Sequence, residues 1–499
     1  MDTDMTGERM EKIYHNICRG NERRANLISL KKELKDEDNR AIFRRITGNC
    51  MDEIMKCLVD EDAKVRKNAA AILGIMHCQE AMDVLMDAYQ EEGQLFVKAD
   101  YVKAMSELSC EDYMPDFRKR LEYLNSYDPP ENEKKHIQAE IKELKALILK
   151  KDGIKKHTFR LGGRANDVIL VTLPAFCPVL AGEISGKKKV LKNGVRTIVT
   201  DMEAILQIRT YSEILFVLDC DKKLPKDPVQ IAEALKDSDL MEILEENHRE
   251  EGPFYFRVGL AGSMPQEEKG IFSRKVSSAV EQAFSHSLIN SVSHYEIEIR
   301  LIRNQDGSFY PCLKLFTLPD HRFDYRRFHI AASMKPNLAA GLIALAKPYM
   351  TEYAQVLDPF CGVGTLLIER RFQVSARNCY GIDTYGEAIE KARKNSRIAG
   401  MHMNYINRNY FDFIHDYAFD EIVTDLPSGH LTRLELDRLY GKFLEKSQQV
   451  LKAKGRIICF TREQGILKKQ LRLNGGYRLL KEFCIQEKNG SWLFILEKK

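Results

Sequence analysis

The stretch TDLPSGH, residues 424–430, closes the apolar run FDEIV and sets a carboxylate, a carbonyl and a proline side by side at a strand end. An amine on an aromatic ring is a poor nucleophile, because its lone pair is delocalised into the ring. Two acceptors at the right spacing hold both N–H groups and localise that pair. Asp425 offers its carboxylate and Leu426 its backbone carbonyl, while Pro427 gives up its N–H and stiffens the turn. The chemistry is then positioning plus charge: the amine attacks a carbon electrophile in line, and Asp425 favours the cation that develops. No metal is required.

A second cluster supplies the electrophile's carrier. VLDPFCGVGTLLIE (356–369) puts Asp358 at a strand end and Gly362 and Gly364 in the turn before a helix, with Phe360, Cys361 and Thr365 completing the turn. Glycines there let backbone approach a ligand closely. A bare G-x-G also opens the phosphate-binding turn of dinucleotide folds. Asp358 discriminates, since a pyrophosphate wants amides and no nearby anion, whereas a carboxylate suits the ammonium of a ligand with an amino-acid end. That ligand is S-adenosyl-L-methionine. Asp383 in CYGIDTY ends the next strand, where a carboxylate can accept both ribose hydroxyls, a position NAD folds share. Asp358 and Asp383 could also simply cap helices or turns.

These residues need a sheet to hold them. Over 321–499, AQVLDP, NCYGID, MNYIN, DEIVTDLP and GRIICFT each lead into a helical stretch or loop, which means a parallel sheet with crossover helices, an α/β Rossmann-like domain. Two apolar runs joined by Asn489-Gly490 follow, a strong hairpin signal. A terminal hairpin on a doubly wound sheet fits a class I methyltransferase better than a dinucleotide dehydrogenase.

Residues 153–320 read as α+β: DVILVTLPAF, EILFVLDC, FYFRVGL and YEIEIRLIRN as strands, FSRKVSSAVEQAFSHSL as a helix. Residues 1–152 are helical in pattern. Within them CLVDEDAKVRKNAAAILGIM (57–76) superposes on YQEEGQLFVKADYVKAMSEL (89–108), a period of about 32 residues that suggests stacked helix pairs. The wording of 60–74 resembles a HEAT repeat, and an irregular helical domain is the plainer alternative. Pro129 and Pro130 mark a break, and Gly153 ends the helix that follows.

A multidomain protein is expected at 499 residues. With 44% hydrophobic and 30% charged residues, and no apolar run of membrane-spanning length, the composition is that of a soluble protein. The polar, acidic start lacks a secretory pattern. The 12 cysteines stand singly without a zinc or iron–sulfur pattern, as expected of reduced thiols in a cytoplasm. A net charge of +4 leaves nucleic-acid contact to local patches.

DPFCGVGTLLIE, with DYRRFHIAASMKPNLAAGLIALA (324–346) upstream, resembles the RNA guanine-N2 methyltransferase group whose catalytic domain follows a THUMP module; the likeness runs over roughly 160–460. Residues 182–218 are similar to its ferredoxin-like module, and 253–316 to an abbreviated THUMP domain. The resemblance implies that Met334, Lys335, Pro336 and Asn337 help shape the cofactor entrance, and that Asn409, or Asp412 near it, accepts from the adenine amino group. It implies Asp425, Leu426, Pro427 and Ser428 as the catalytic turn. The family pattern is Asp or Asn, Pro-Pro, then an aromatic that stacks on the base; here Leu426 and Ser428 depart from it, and His430, Arg433 and Tyr440 are the nearby groups that could cover the base instead.

RNA contacts are expected from SGKKKVLKNG (185–194), with Lys187 and Lys188, from HRFDYRRFH (321–329), with Arg322, Arg326 and Arg327, and from His430. The implied substrate is structured RNA, tRNA first and rRNA second, with a possible protein partner on the helical repeats. Two other readings stay open: a catalytically silent RNA-binding or assembly scaffold, and a methyltransferase for another planar amine or amide such as adenine or a protein glutamine.

Overall fold

The computed structural model describes every residue except Met1, Asp128, 153–156, 162–163, Lys222, His286, Tyr417 and His430. The chain folds into two units, Met1–Lys155 and Lys156–Lys499, so that the α+β segment and the strand–helix segment share one compact body.

The first unit is built of helices. Ala63–Ile75 and Leu95–Met105 begin one sequence period apart, the former capped by Asp62, whose side chain accepts from Lys64 N. Val65 and Val97, and Leu73 and Met105, are the matched buried positions of the two copies. A Cβ on Gly74 would stand 2.7 Å from Ala104 Cα, so glycine is what lets these two helices touch. The neighbouring turns are tied together by Gln79, which exchanges hydrogen bonds with the Ser109 backbone in both directions at 2.8 Å, and by Tyr113 donating to Asp83 at 2.8 Å. Pro129 and Pro130 fall between helices Met114–Ser126 and Glu131–Asp152.

In the second unit, strands β1 (Asn166–Val171), β2 (Lys188–Leu191), β3 (Gly194–Val199), β4 (Glu213–Val217), β5 (Phe254–Ala261), β6 (Leu288–Asn290), β7 (Ile297–Arg303) and β8 (Phe309–Leu315) form one sheet in the order β2-β3-β1-β4-β8-β7-β5-β6. The two modules read separately from sequence are thus zipped into a single sheet by the β4–β8 pair, Phe216 opposite Leu313 and Val217 opposite Cys312. Alternation places Val168, Leu170, Phe216, Ile299 and Leu313 in a core beneath the helices, while the basic stretch around Lys188 becomes the β2–β3 hairpin.

The second sheet contains β9 (Ala354–Asp358), β10 (Ala376–Asp383), β11 (Asn404–Asn407), β12 (Phe419–Asp425), β13 (Leu451–Thr461), β14 (Tyr477–Gln486) and β15 (Ser491–Lys498), ordered β11-β10-β9-β12-β13-β15-β14. The first five are parallel; β15 is antiparallel to both its neighbours and closes the hairpin through Gly490 at φ 65°. Within this unit the two sheets' segments interlock at Phe176, which is fully buried and lies against Gly341 on helix Pro336–Ala346; any Cβ at Gly341 would collide with its ring.

Candidate active site

The strand order reverses between β9 and β12, and the crevice beyond their carboxyl ends is where open α/β sheets take ligands. Asp383, Asp358 and Asp425 end the three adjacent strands β10, β9 and β12, so one sheet edge collects all three acids.

Asp358 is fully buried; its Oδ1 accepts from Thr424 Oγ1 at 2.7 Å and from Phe360 N at 3.1 Å. Among the described residues Oδ2 has no partner. Burial pushes this carboxyl up to about 7, with Asp425 and Asp383 adding to the rise and the Thr424 and Phe360 hydrogen bonds opposing it. A cationic group beside Oδ2 would pull this carboxyl back down. Gly364 (φ 79°) caps helix Thr365–Gln373, and a Cβ on it would lie 2.3 Å from the Tyr405 hydroxyl. Gly362 N donates to Asp383 Oδ2 and Tyr385 N to Asp383 Oδ1, both at 2.9 Å, which fixes the second acid against the turn. Cys361 is buried, its N–H held by Ile382 O and its thiol pushed well up by burial, so it serves packing and not nucleophilic chemistry. The Phe360 ring packs edge-on to Tyr410 at 6.0 Å. Asn409 Oδ1 accepts from Phe411 N at 3.0 Å and caps the turn Tyr410–Asp412, whereas the exposed Asp412 carboxylate is unengaged among the described residues.

The segment ahead of helix Pro336–Ala346 straps onto this turn. Tyr325 donates to Glu369 Oε1 at 2.8 Å, Arg326 Nε to Thr365 Oγ1 at 3.3 Å, and Asn395 joins Phe328 N and O to Val363 O. Fully buried Glu369 also takes a bidentate pair from Arg209, at 2.8 Å on each oxygen, which carries the contact from the first sheet's segment into the cofactor helix.

A cleft of about 770 Å³ opens between the two sheets' segments, lined on one side by Thr172, Leu173 and Asn193 and on the other by Ser333, Met334, Lys335, Asn337, Asp425 and Arg462. Asp425 is half-buried and burial raises its carboxyl to about 6, against the pull of the Arg462 guanidinium. Among the described residues its carboxylate has no hydrogen-bond partner. Leu426 buries its side chain and donates its N–H to Phe460 O at 2.9 Å, while its carbonyl is unengaged among the described residues. The turn is braced from behind by Tyr440, which donates to Pro427 O at 3.1 Å. Ser428 Oγ accepts from Arg462 Nη1 at 3.3 Å.

Several expectations are corrected. Arg322 does not face a substrate: it is buried, clamps Asp320 with Nε and Nη2, donates to Ile208 O and Tyr211 O, and stacks 3.6 Å from the Tyr211 ring centroid. Arg326 points at Thr365, at the start of the helix after the glycine turn, rather than at a free surface. Tyr440 cannot cover a base, because its ring is wholly buried. Lys187 and Arg327 are exposed, as is Lys188, whose ammonium donates to Ile184 O at 2.6 Å. Arg433 is exposed at a helix start, and His430 lies outside the described residues. Sequence reasoning missed Arg462, Asn395, Glu369 and Thr424. The one available signal was for Arg462, a charged residue directly after the apolar run GRIICFT, at the same sheet edge as Asp425.

Residues 324–489 match the family model described as UPF0020, the RMKL-like methyltransferase domain. The tRNA (guanine(10)-N2)-dimethyltransferase of Pyrococcus abyssi is 28% identical over 142 residues, 27% of this chain and 41% of that protein. Ribosomal RNA large subunit methyltransferase K/L of Acinetobacter baumannii is 45% identical over 58 residues, 12% of this chain and 8% of that one. The chain thus spans less than half the length of these curated relatives. The crystal structure of TrmN from Thermus thermophilus superposes with a TM-score of 0.52 at 20% identity, covering 67% of this chain and 99% of that one, a share too large for the second sheet's segment alone. The carboxy-terminal segment thus resembles an RMKL-like methyltransferase domain, and the second unit shares its fold with solved methyltransferase structures, among them SMU.472, a putative methyltransferase complexed with SAH, at a TM-score of 0.51 and 15% identity.

Proposed function

We propose that this chain methylates the N2 amino group of a guanosine in structured RNA, tRNA first and rRNA second. The observation that carries the reading is a pair of acceptors from consecutive residues, unengaged among the described residues: the Asp425 carboxylate on the wall of an open cleft and the backbone carbonyl of Leu426 next to it. Guanine presents a two-hydrogen exocyclic amine to such a pair, and the named tRNA relatives act on that atom.

S-adenosyl-L-methionine, when bound, supplies an activated methyl. Asp358 Oδ2 would take its ammonium, Gly362 and Gly364 would let its backbone-facing side approach, Asp383 would meet the ribose, and Asp412 or Asn409 the adenine amine. Asp425 and the Leu426 carbonyl orient the amine and draw its lone pair out of the ring. As the new N–C bond forms, Asp425 faces the developing cation and takes its proton. The exposed Lys187, Lys188 and Arg327 supply phosphate contacts on the THUMP-like sheet, and the HEAT-like helices supply a further RNA or protein surface, in a cytoplasmic enzyme.

The test is transfer of labelled methyl from S-adenosylmethionine to total small RNA from cells lacking this protein, with wild type and Asp425→Ala. Label recovered as N2-methylguanosine with wild type alone is the expected result. Ser428 favours a second reading, a silent RNA-binding scaffold; intact cofactor binding with no label on any RNA would select it.

A further inference from the structure

A base held edge-on by Asp425 and Leu426 needs its face covered, or it will rotate out of line. Among the described residues the cleft contains no Phe, Tyr, Trp or His: its lining is aliphatic and polar, with Arg462 the sole guanidinium. Arg462 is the first residue after β13, paired in the sheet with β12, so its Cα sits beside the catalytic turn by strand register. The side chain is exposed, and its guanidinium makes two contacts, the 3.3 Å hydrogen bond to Ser428 Oγ and the Phe460 ring, 5.8 Å from the centroid. It makes no ion pair among the described residues, although Asp425 stands near. Arg462 lines the same cleft as Asp425, so its planar cation is within reach of a base held there.

Resting on the guanine-N2 reading, we propose that Arg462 is the base-covering residue of this site, stacking its guanidinium plane on the target base, with Ser428 retained as a small hydrogen-bond acceptor that orients it. Arginine stacks on planar groups as lysine does not, because its charge is spread over a flat π system. The same hydroxyl that an aromatic would displace becomes part of the clamp.

Methyl transfer to total small RNA from cells lacking the protein tests this, with binding of S-adenosylhomocysteine followed by calorimetry as the check on folding and cofactor site. Arg462→Ala is expected to lower kcat/KM for RNA about ten- to a hundredfold, the range of a lost base stack, with cofactor affinity near wild type. Arg462→Lys is expected to be as poor as alanine, and Ser428→Phe in the Arg462→Ala background to recover most of the loss. A lysine variant that keeps the wild-type kcat/KM, or an alanine variant whose salt dependence falls by about one counterion, shows a phosphate contact and overturns the stacking role alone. Wild-type protein that binds the cofactor but labels no RNA overturns the functional reading and this inference together.

Discussion

Thr424 on β12 donates its hydroxyl to Asp358 on β9, Oγ1 to Oδ1 at 2.7 Å, across the point where the strand order reverses. The bond joins the strand that ends in Asp358 to the strand that ends in Asp425. One residue after Thr424 on β12 stands Asp425, so on the function proposed above a single backbone step sets the spacing between the cofactor and substrate acids.

If Asp358 receives the cofactor's ammonium, as proposed above, binding is a proton-linked event. Its folded carboxyl is raised to about 7 from a usual 3.8, so much of it is protonated at neutral pH before an ammonium arrives. Binding should release a proton, and calorimetry in buffers of different ionisation enthalpy should detect it at pH 6 to 7 and lose it above about 8. Asp358→Asn should abolish the buffer dependence and weaken binding. Stability follows the same sign: this group's contribution to the cofactor-free protein is full below the unfolded value near 3.8 and is lost as pH rises through about 7. Wild type should therefore lose melting temperature relative to Asp358→Asn as pH rises from about 4 to about 7.

Asp425 must be ionised to accept an N–H and its proton. Since burial raises it to about 6, the rate of methyl transfer at saturating RNA should fall on the acid side with a midpoint near that value. Removing Arg462, which pulls the carboxyl down, should move the midpoint upward. Asp425→Asn retains an acceptor but no charge, and should lower kcat by about a hundredfold or more with cofactor affinity unchanged. A pH profile without an acid limb between 5 and 7 would remove Asp425 from the chemistry.

The limits of sequence reading are visible in these same residues. Asp358, Asp383 and Asp425 were legible because strand–helix alternation marks strand ends, and a parallel sheet brings successive ends to one edge whatever the packing. The second sheet and its terminal hairpin followed from the same periodicity. Side-chain destinations did not. Arg322 and Arg327 belong to one basic run, yet one is locked between Asp320 and Tyr211 and the other is exposed, a choice made by residues more than a hundred positions upstream. Tyr440 lies in helical sequence thirteen residues past Pro427 and braces it from the core side, which linear distance cannot reveal. The joining of β4 to β8 likewise rests on two residue pairs far apart in the chain.

Arg209 and Glu369 tie the sheet that precedes the methyltransferase fold to the helix that follows the cofactor turn. Glu369 is wholly buried, so Arg209→Ala leaves an uncompensated carboxylate and should cost ~3–5 kcal/mol in denaturant unfolding. Removing both charges with Arg209→Met and Glu369→Gln together should restore much of that loss. If the single variant unfolds at the wild-type midpoint, the pair carries no weight in the second unit.

The helical unit and the remainder have separate cores: one contains Leu27, Leu73, Val102 and Phe117, while among the described residues the buried clusters of the second unit draw none from before Lys156. A chain starting after residue 156 should thus fold and bind S-adenosylhomocysteine as the full protein does. The motif at 425–428 and the cofactor turn belong to that part, so the chemical step itself should survive. What the helices add, on the reading proposed above, is a surface for substrate or partner. Deletion should leave kcat at saturating RNA near wild type and raise the apparent KM by about tenfold or more, the worth of a modest binding surface. Unchanged turnover at low RNA concentration would show that the repeats serve something other than substrate capture, and a pull-down with the isolated helical unit would then be the place to look for a protein.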